Sequence, residues 1–264
     1  MIENITLGQF FPGDSFIHRL DPRTKIIAVF VFVVLIFIVK SWIGYLLMYG
    51  LLVLSIIISK ISFRQMLRGL KPLLFIMIFT FILNIFFSTQ GSVIFEFYFI
   101  KITDVGLLLA LKLVLRLVFL ITTTTLMTYT TSPIQLTDAI ESLFKPLNKI
   151  KFPVHEIAMM MTIAIRFIPT LIEETDKIMK AQTARGAEFD GKNIFKKALD
   201  MVPLLVPLFV SAFRRADELA FAMEARCYNG GHGRTKLKKL AMRKIDILVF
   251  VFLAALIAVT FLGI

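Results

Sequence analysis

The chain has 264 residues, 58% of them hydrophobic and 27 of them phenylalanine, with a mean hydropathy of +0.83. Soluble domains average about 45–50% apolar residues, so this composition excludes an ordinary soluble globular domain and points to an integral membrane protein. A net charge of +12 would suit nucleic acid in a soluble chain, but in a membrane chain basic residues are first read as orientation signals, and no nucleic-acid partner is implied.

Five apolar runs are long enough to cross a hydrocarbon core, which takes about 20 residues for about 30 Å. They are residues 26–39, 41–59, 72–95, 106–126 and 247–264. The first follows a polar lead in which Asp21-Pro22 supplies an N-cap and a first-turn proline. It lacks a small-residue cleavage site before the next run, so it is expected to remain in the mature protein. Phe75, Phe79, Phe81, Phe86 and Phe87 on the third run either face lipid or form an aromatic surface for a membrane partner.

The fourth run carries Lys112 and Arg116 at i, i+4, on one helix face. As a functional pair they would be a substrate or ion site, because ionisable groups in lipid are costly. As a structural pair they snorkel to the outer interface or bond to neighbouring helices, with Asp104 or the Thr122–Thr125 run as partners.

Residues 127–246 are charged yet helical in pattern. Ser132-Pro133 opens a helix toward Phe144 that Pro146 interrupts, and Pro153 precedes a second helix running to Arg185 and stopping at Gly186. Along that second helix Arg166, Thr170, Glu173, Lys177 and Lys180 make one polar stripe, and Glu173–Lys177 and Asp176–Lys180 add acid-first i, i+4 pairs. A third helix, with Pro203 and Pro207 near its start, runs through Arg226 and ends before Asn229-Gly230-Gly231. Ala184-Arg185-Gly186 and Ala225-Arg226-Cys227 echo each other across 41 positions, an offset that also superposes Asp176 on Asp217 and Ala181 on Ala222. Cys227 lacks the freedom of glycine at that place, so Gly230 is expected to end the helix a turn later.

The basic residues fix orientation. Twenty-six of the thirty lie before the first run, between the second and third, or between the fourth and fifth. Only Lys40 and Lys101 lie in the opposite loops. The positive-inside rule then predicts a cytoplasmic N-terminus, a cytoplasmic segment 127–246 and an external C-terminus.

Chemistry is not predicted. A single cysteine, Cys227, excludes an internal disulfide, and His18, His155 and His232 lack metal-ligand spacing. Residues 186–192 satisfy G-x-x-x-x-G-K, but Asn193 stands where a phosphate-binding loop needs Ser or Thr, and Glu188 and Asp190 would repel phosphate. Glu173-Glu174 lacks the arginine and histidine of a membrane protease, and the spans hold no aspartate cluster for a prenyltransferase. No nucleophile stands with a base, so no catalytic residue, metal or cofactor is assigned.

The His18-Arg19-Leu20-Asp21-Pro22-Arg23-Thr24-Lys25 entry, the basic loop after the second run, the long helical insert and the paired Ala-Arg ends together resemble the transmembrane T component of energy-coupling-factor transporters. These systems import vitamins and metal ions into prokaryotes. Ala184-Arg185-Gly186 is similar to the family's signature unaltered, whereas Ala225-Arg226-Cys227 departs at its third residue. The resemblance implies an all-α integral membrane protein of the prokaryotic cell membrane, with about five transmembrane helices and a long cytoplasmic or interfacial segment holding two coupling helices. Residues 1–126 would form a four-span membrane domain, 127–246 the coupling-helix domain and 247–264 a last span. It implies a non-catalytic scaffold. Two ABC-type ATPase subunits would dock at the Ala-Arg ends, and a separate substrate-binding integral membrane subunit would dock within the bilayer. Two rival functions remain open at this point: a stand-alone channel or secondary transporter using Lys112 and Arg116, and a membrane anchor for signalling ATPases.

Overall fold

The computed structural model describes residues 10–87, 92–97, 100–187, 201–230 and 240–261. The chain divides into two units, one of residues 8–139 and 240–264, the other of residues 1–7 and 140–239. The residues 188–193 of the phosphate-loop look-alike, and Gly231 and His232, lie outside the described residues.

In the first unit α1 (Pro22–Ile38) and α2 (Trp42–Ser59) form a tight helical hairpin, followed by α3 (Phe63–Leu70), a short 3-10 turn (Lys71–Leu73) and α4 (Leu74–Phe87). Strands β1 (Val93–Phe97) and β2 (Ile100–Thr103) pair antiparallel and lead into α5 (Asp104–Thr130). Then α6 (Pro133–Phe144) begins, and α9 (Lys244–Phe261) closes the described chain. The expected N-caps are present. Asp21 Oδ1 accepts from Arg23 N–H at 2.9 Å ahead of Pro22, and Ser132 and Gln135 exchange bonds with each other's backbone at the start of α6.

The antiparallel β1–β2 hairpin departs from an otherwise all-α fold. The third apolar run was expected to extend to residue 95, but α4 stops at Phe87 and the chain turns extended from Val93. The polar stretch Ser88-Thr89-Gln90-Gly91-Ser92 breaks the apolar run, and Val-Ile-Phe-Glu-Phe and Ile-Lys-Ile-Thr are rich in β-branched and aromatic residues. Among the described residues four stretches are long and apolar enough to cross a membrane: Trp42–Ser59, Phe63–Phe87, Asp104–Thr130 and Val154–Ala184. Helix α1, at 17 residues, is slightly shorter.

Helix α5 is the spine of this unit, packed against α1, α2, α3 and α4. Phe119 on α5 is 1% exposed and meets Phe32 and Tyr49 edge-on. Gly69 on α3 lets the backbones approach closely, since a Cβ there would stand 3.0 Å from Thr125 Cγ2. The threonines of α5 do not reach across the bundle. Thr122, Thr123, Thr124 and Thr130 donate to the carbonyls of Val118, Phe119, Leu120 and Leu126, four residues back in each case. By contrast α4 turns Phe75, Phe79, Phe86 and Phe87 outward, as a lipid-facing helix does.

A buried polar knot ties three helix ends together. Asp246, in the first turn of α9, is 0% exposed; its carboxylate accepts from Asp21 N–H at 2.9 Å and from Arg243 N–H at 2.7 Å. Lys25 in the first turn of α1 is also buried, and its ammonium donates to Thr130 O at 2.7 Å and Thr131 Oγ1 at 3.3 Å, where α5 ends. Carboxylates thus serve two helix N-termini and an ammonium serves a C-terminus, each charge opposite in sign to the end it meets. Replacing Asp246 by Ala leaves the Asp21 and Arg243 N–H donors unpaired and removes one of the two carboxylates, Asp21 and Asp246, that face Lys25. The expected loss is about 3 kcal/mol of stability, with Asp246→Asn losing less because one oxygen remains to accept. Thermal unfolding of the detergent-purified variants measures this.

Candidate functional site

The second unit is built on a 3-10 helix (Lys145–Ile150) and two long helices, α7 (Val154–Ala184) and α8 (Val202–Ala225). Each contains one internal proline, Pro169 and Pro207, and each is helical on both sides of it. At the base of α7, His155 Nδ1 and Glu141 Oε1 lie 3.0 Å apart.

The two helices run antiparallel. Gln182 Nε2 on α7 donates to Pro203 O at the start of α8, Glu174 meets Ser211 and Arg215, and Ile163, Phe167 and Leu171 share an apolar seam with Leu219, Ala220 and Met223. Glu174 makes a polar clasp in that seam: Ser211 Oγ donates to its Oε1, and Arg215 Nη2 donates to its Oε2 at 2.8 Å. The acids expected to pair along α7 are not the ones used. Among the described residues neither Glu173–Lys177 nor Asp176–Lys180 closes to an ion pair. Instead Arg166, Glu173, Lys177 and Lys180 stay on the exposed side, with Thr170 half-buried. Sequence reading missed Glu174, Ser211 and Arg215, because pairing across an antiparallel seam leaves no short-range spacing to find.

Both Ala-Arg ends have the same geometry. At the first, Ala184 is the last helical residue and Arg185 the cap; Gly186 turns left-handed at φ +90, its N–H donates to Thr183 O at 2.9 Å, and Ala187 N–H donates to Gln182 O at 3.0 Å. At the second, Ala225 and Arg226 take the same places; Cys227 turns left-handed at φ +55, its N–H donates to Glu224 O at 2.8 Å, and Tyr228 N–H donates to Met223 O at 3.0 Å. These are two Schellman motifs in the same register.

The expected extra turn to Gly230 does not form. Gly230 is itself left-handed, at φ +70, but it lies beyond the helix. Cys227 adopts the conformation that glycine adopts at the other end, because the paired 6→1 and 5→2 bonds compensate a cost of about 1–2 kcal/mol for a side chain in that region.

The structure does not bring the two ends together. They lie at opposite ends of the antiparallel pair, about 36 Å apart along a helix of 24 residues. Both arginines are exposed, and among the described residues neither makes a side-chain hydrogen bond or ion pair.

Lys112 and Arg116 belong to the other unit, and their partners differ from those expected. Lys112 Nζ donates to Lys40 O at 3.1 Å; Arg116 Nε donates to Tyr45 Oη at 2.8 Å, and Nη2 donates to Phe37 O at 3.4 Å and Val39 O at 3.5 Å. The pair thereby caps the C-terminal carbonyls of α1 instead of meeting Asp104 or the threonine run. Asp104 accepts from its neighbour's amide, Val105 N–H, at 2.7 Å, and the threonines serve their own helix.

Replacing Cys227 by Gly removes the left-handed cost and is expected to steady the end of α8 by about 1 kcal/mol, whereas a β-branched Val there is expected to fray it. Hydrogen exchange at the amides of Cys227 and Tyr228 reads this directly: slower exchange in the Gly variant and faster in the Val variant.

Comparison with known proteins gives one family. The family model described as cobalt transport protein (CbiQ) matches residues 13–237. The energy-coupling factor transporter transmembrane protein EcfT of Ruminiclostridium cellulolyticum is 54% identical over 94% of this chain and 93% of its own length. The proteins of the same name from Clostridium kluyveri and Bacillus subtilis are 51% and 48% identical, covering 100% and 99% of this chain and 98% of their own lengths. A membrane fold built on long apolar helices, two matching Ala-Arg helix ends and full-length similarity at this level agree: the chain belongs to the family of transmembrane components of energy-coupling factor transporters.

Proposed function

We propose that the chain is the non-catalytic scaffold of an importer, coupling ATP hydrolysis by two cytoplasmic ABC-type ATPase subunits to uptake of a vitamin or metal ion through a separate substrate-binding membrane subunit. Arg185 and Arg226 hold the two ATPases, one each, with Ala184, Gly186, Ala225 and Cys227 shaping the ends that present them. In this reading the N-terminus and residues 127–246 face the cytoplasm, residues 1–126 and 247–264 are the membrane parts, and no nucleic acid is a partner.

One observation carries this reading: the backbone alone closes each helix end. The carbonyls of Gln182, Thr183, Met223 and Glu224 are taken by N–H groups of the following turn. Neither guanidinium is therefore needed as a cap, and each is free to form bidentate bonds to carboxylates or carbonyls of another chain. Ends about 36 Å apart suit two separate partners better than one. Motion of two ATPase domains then acts on a two-helix lever, a route from hydrolysis to the membrane. The rival in which Lys112 and Arg116 conduct substrate is less well supported, since both are anchored on the carbonyl end of α1. The relatives' names specify no cargo, while the family description names cobalt.

The test is charge reversal at each end. Arg185→Glu and Arg226→Glu are each expected to weaken ATPase association by about 2–5 kcal/mol, against about 1 kcal/mol or less if only a helix-dipole contact is lost. Arg→Lys at either place should recover association incompletely, because the fork is gone. Copurification of ATPase subunits and substrate uptake in vesicles are the measurements, with membrane insertion of each variant checked. Normal assembly and uptake by the doubly reversed variant would overturn the assignment.

A further inference from the structure

We infer that Lys112, Arg116 and Trp42 hold the phosphate of an anionic phospholipid at the membrane face opposite the buried knot. The first ground is charge. All acceptors bonded to Lys112 and Arg116 are neutral, namely three carbonyls and the Tyr45 hydroxyl. Among the described residues neither cation has a carboxylate within ion-pair distance. The C-terminus of α1 offers only about half a negative charge against two positive ones. Lys40, exposed in the same turn, adds a third positive residue.

Donor count gives the same result. An ammonium has three N–H groups and a guanidinium five. Lys112 uses one on Lys40 O, and Arg116 uses Nε and Nη2, so among the described residues Nη1 has no hydrogen-bond partner.

Depth is the second ground. Lys112 stands eighteen residues from Thr130 on α5. That is about 27 Å of helix, close to the roughly 30 Å of a hydrocarbon core. With the Thr130 end at one boundary, Lys112 lies near the other, within reach of lipid phosphates for a snorkelling side chain. Trp42 is at the same level, 46% exposed, with Lys112 Nζ 5.3 Å from its ring centroid. An amphipathic indole beside a basic residue is the usual furniture of that boundary.

The third ground selects a lipid over a free anion. Phe37, Ile38, Ile43, Leu108 and Leu111 are all exposed around the cluster. An anion arriving there meets an apolar wall, which favours one that carries acyl chains of its own.

The experiment uses the full-length chain, delipidated in non-ionic detergent and titrated with phosphatidylglycerol, with adducts counted by native mass spectrometry. Diacylglycerol with the same chains and inorganic phosphate are the comparison probes. Each basic residue near a lipid surface contributes about 1 kcal/mol, so Lys112→Gln is expected to weaken the tightest phosphatidylglycerol adduct about fivefold, and Lys112→Gln with Arg116→Gln about twenty-five-fold. Lys60→Gln, at the other end of α2, is expected to leave it unchanged. Should thermal unfolding show that either variant no longer folds, Lys40→Gln carries the same test, because the Lys40 side chain makes no bond to the fold among the described residues. Equal retention by wild type and the folded variants overturns the inference. So does diacylglycerol binding as tightly as phosphatidylglycerol, which makes the site an acyl groove. Displacement of phosphatidylglycerol by equimolar inorganic phosphate also overturns it, since the site would then take any anion.

Discussion

The arrangement of the membrane helices depends on how their ends are neutralised. Apolar side chains give little reason to choose one neighbour over another in lipid, because lipid tails are as apolar as leucine. The wholly buried Asp246 is different. It has a place only where Asp21 and Arg243 present their N–H groups, and that place fixes α9 beside the start of α1, more than two hundred residues away in sequence. Lys25 fixes the same turn of α1 to the end of α5. Moving any of the three helices by one turn would leave a buried charge without its partners, at a cost well above that of repacking apolar side chains.

The same rule operates at the other end of α1, with the signs reversed. There the end exposes carbonyls, and the groups that meet them are Lys112 and Arg116. Helix α1 is thus held at both ends by charges whose signs match its dipole. In the second unit the ends are closed by backbone alone, through Schellman turns, and the charged side chains beside them are left exposed. That contrast separates cations bonded to the fold from cations left exposed beside a closed helix end. A cation that caps a neighbouring helix is held in place by the fold, whereas one beside a self-capped end is held by none of the described side-chain bonds.

Much of this was legible in the sequence because it is local. Apolar runs, Asp21-Pro22, Ser132-Pro133 and Ala-Arg-Gly all act within a few residues, and the helices began and ended close to where these signals lie. The hairpin was hidden because Val93–Phe97 continues an apolar run after a short polar break, and hydropathy alone does not separate a strand from the end of a helix. Cys227 was misjudged for a related reason: composition gives the cost of a left-handed cysteine but not the two backbone bonds that offset it. The partners of Lys112, Asp246 and Glu174 were out of reach, since each lies on another helix and is set by register.

The clasp on Glu174 follows from the repeat. Glu174 precedes Arg185 by eleven residues, and Arg215 precedes Arg226 by eleven. The 41-residue offset that superposes the two tips therefore superposes Glu174 on Arg215. When two similar helices pack antiparallel, equivalent positions are exchanged by a local twofold axis, and residues near that axis meet their own counterparts. A pair of identical acids there would repel. The sequence places an acid in one copy and a base in the other, and they meet at 2.8 Å. Each tip then lies about 16 Å of helix from the clasp. The two arms on either side of the clasp are thus equal in length, so under the proposed coupling a displacement at Arg185 would reach the clasp over the same length as one at Arg226.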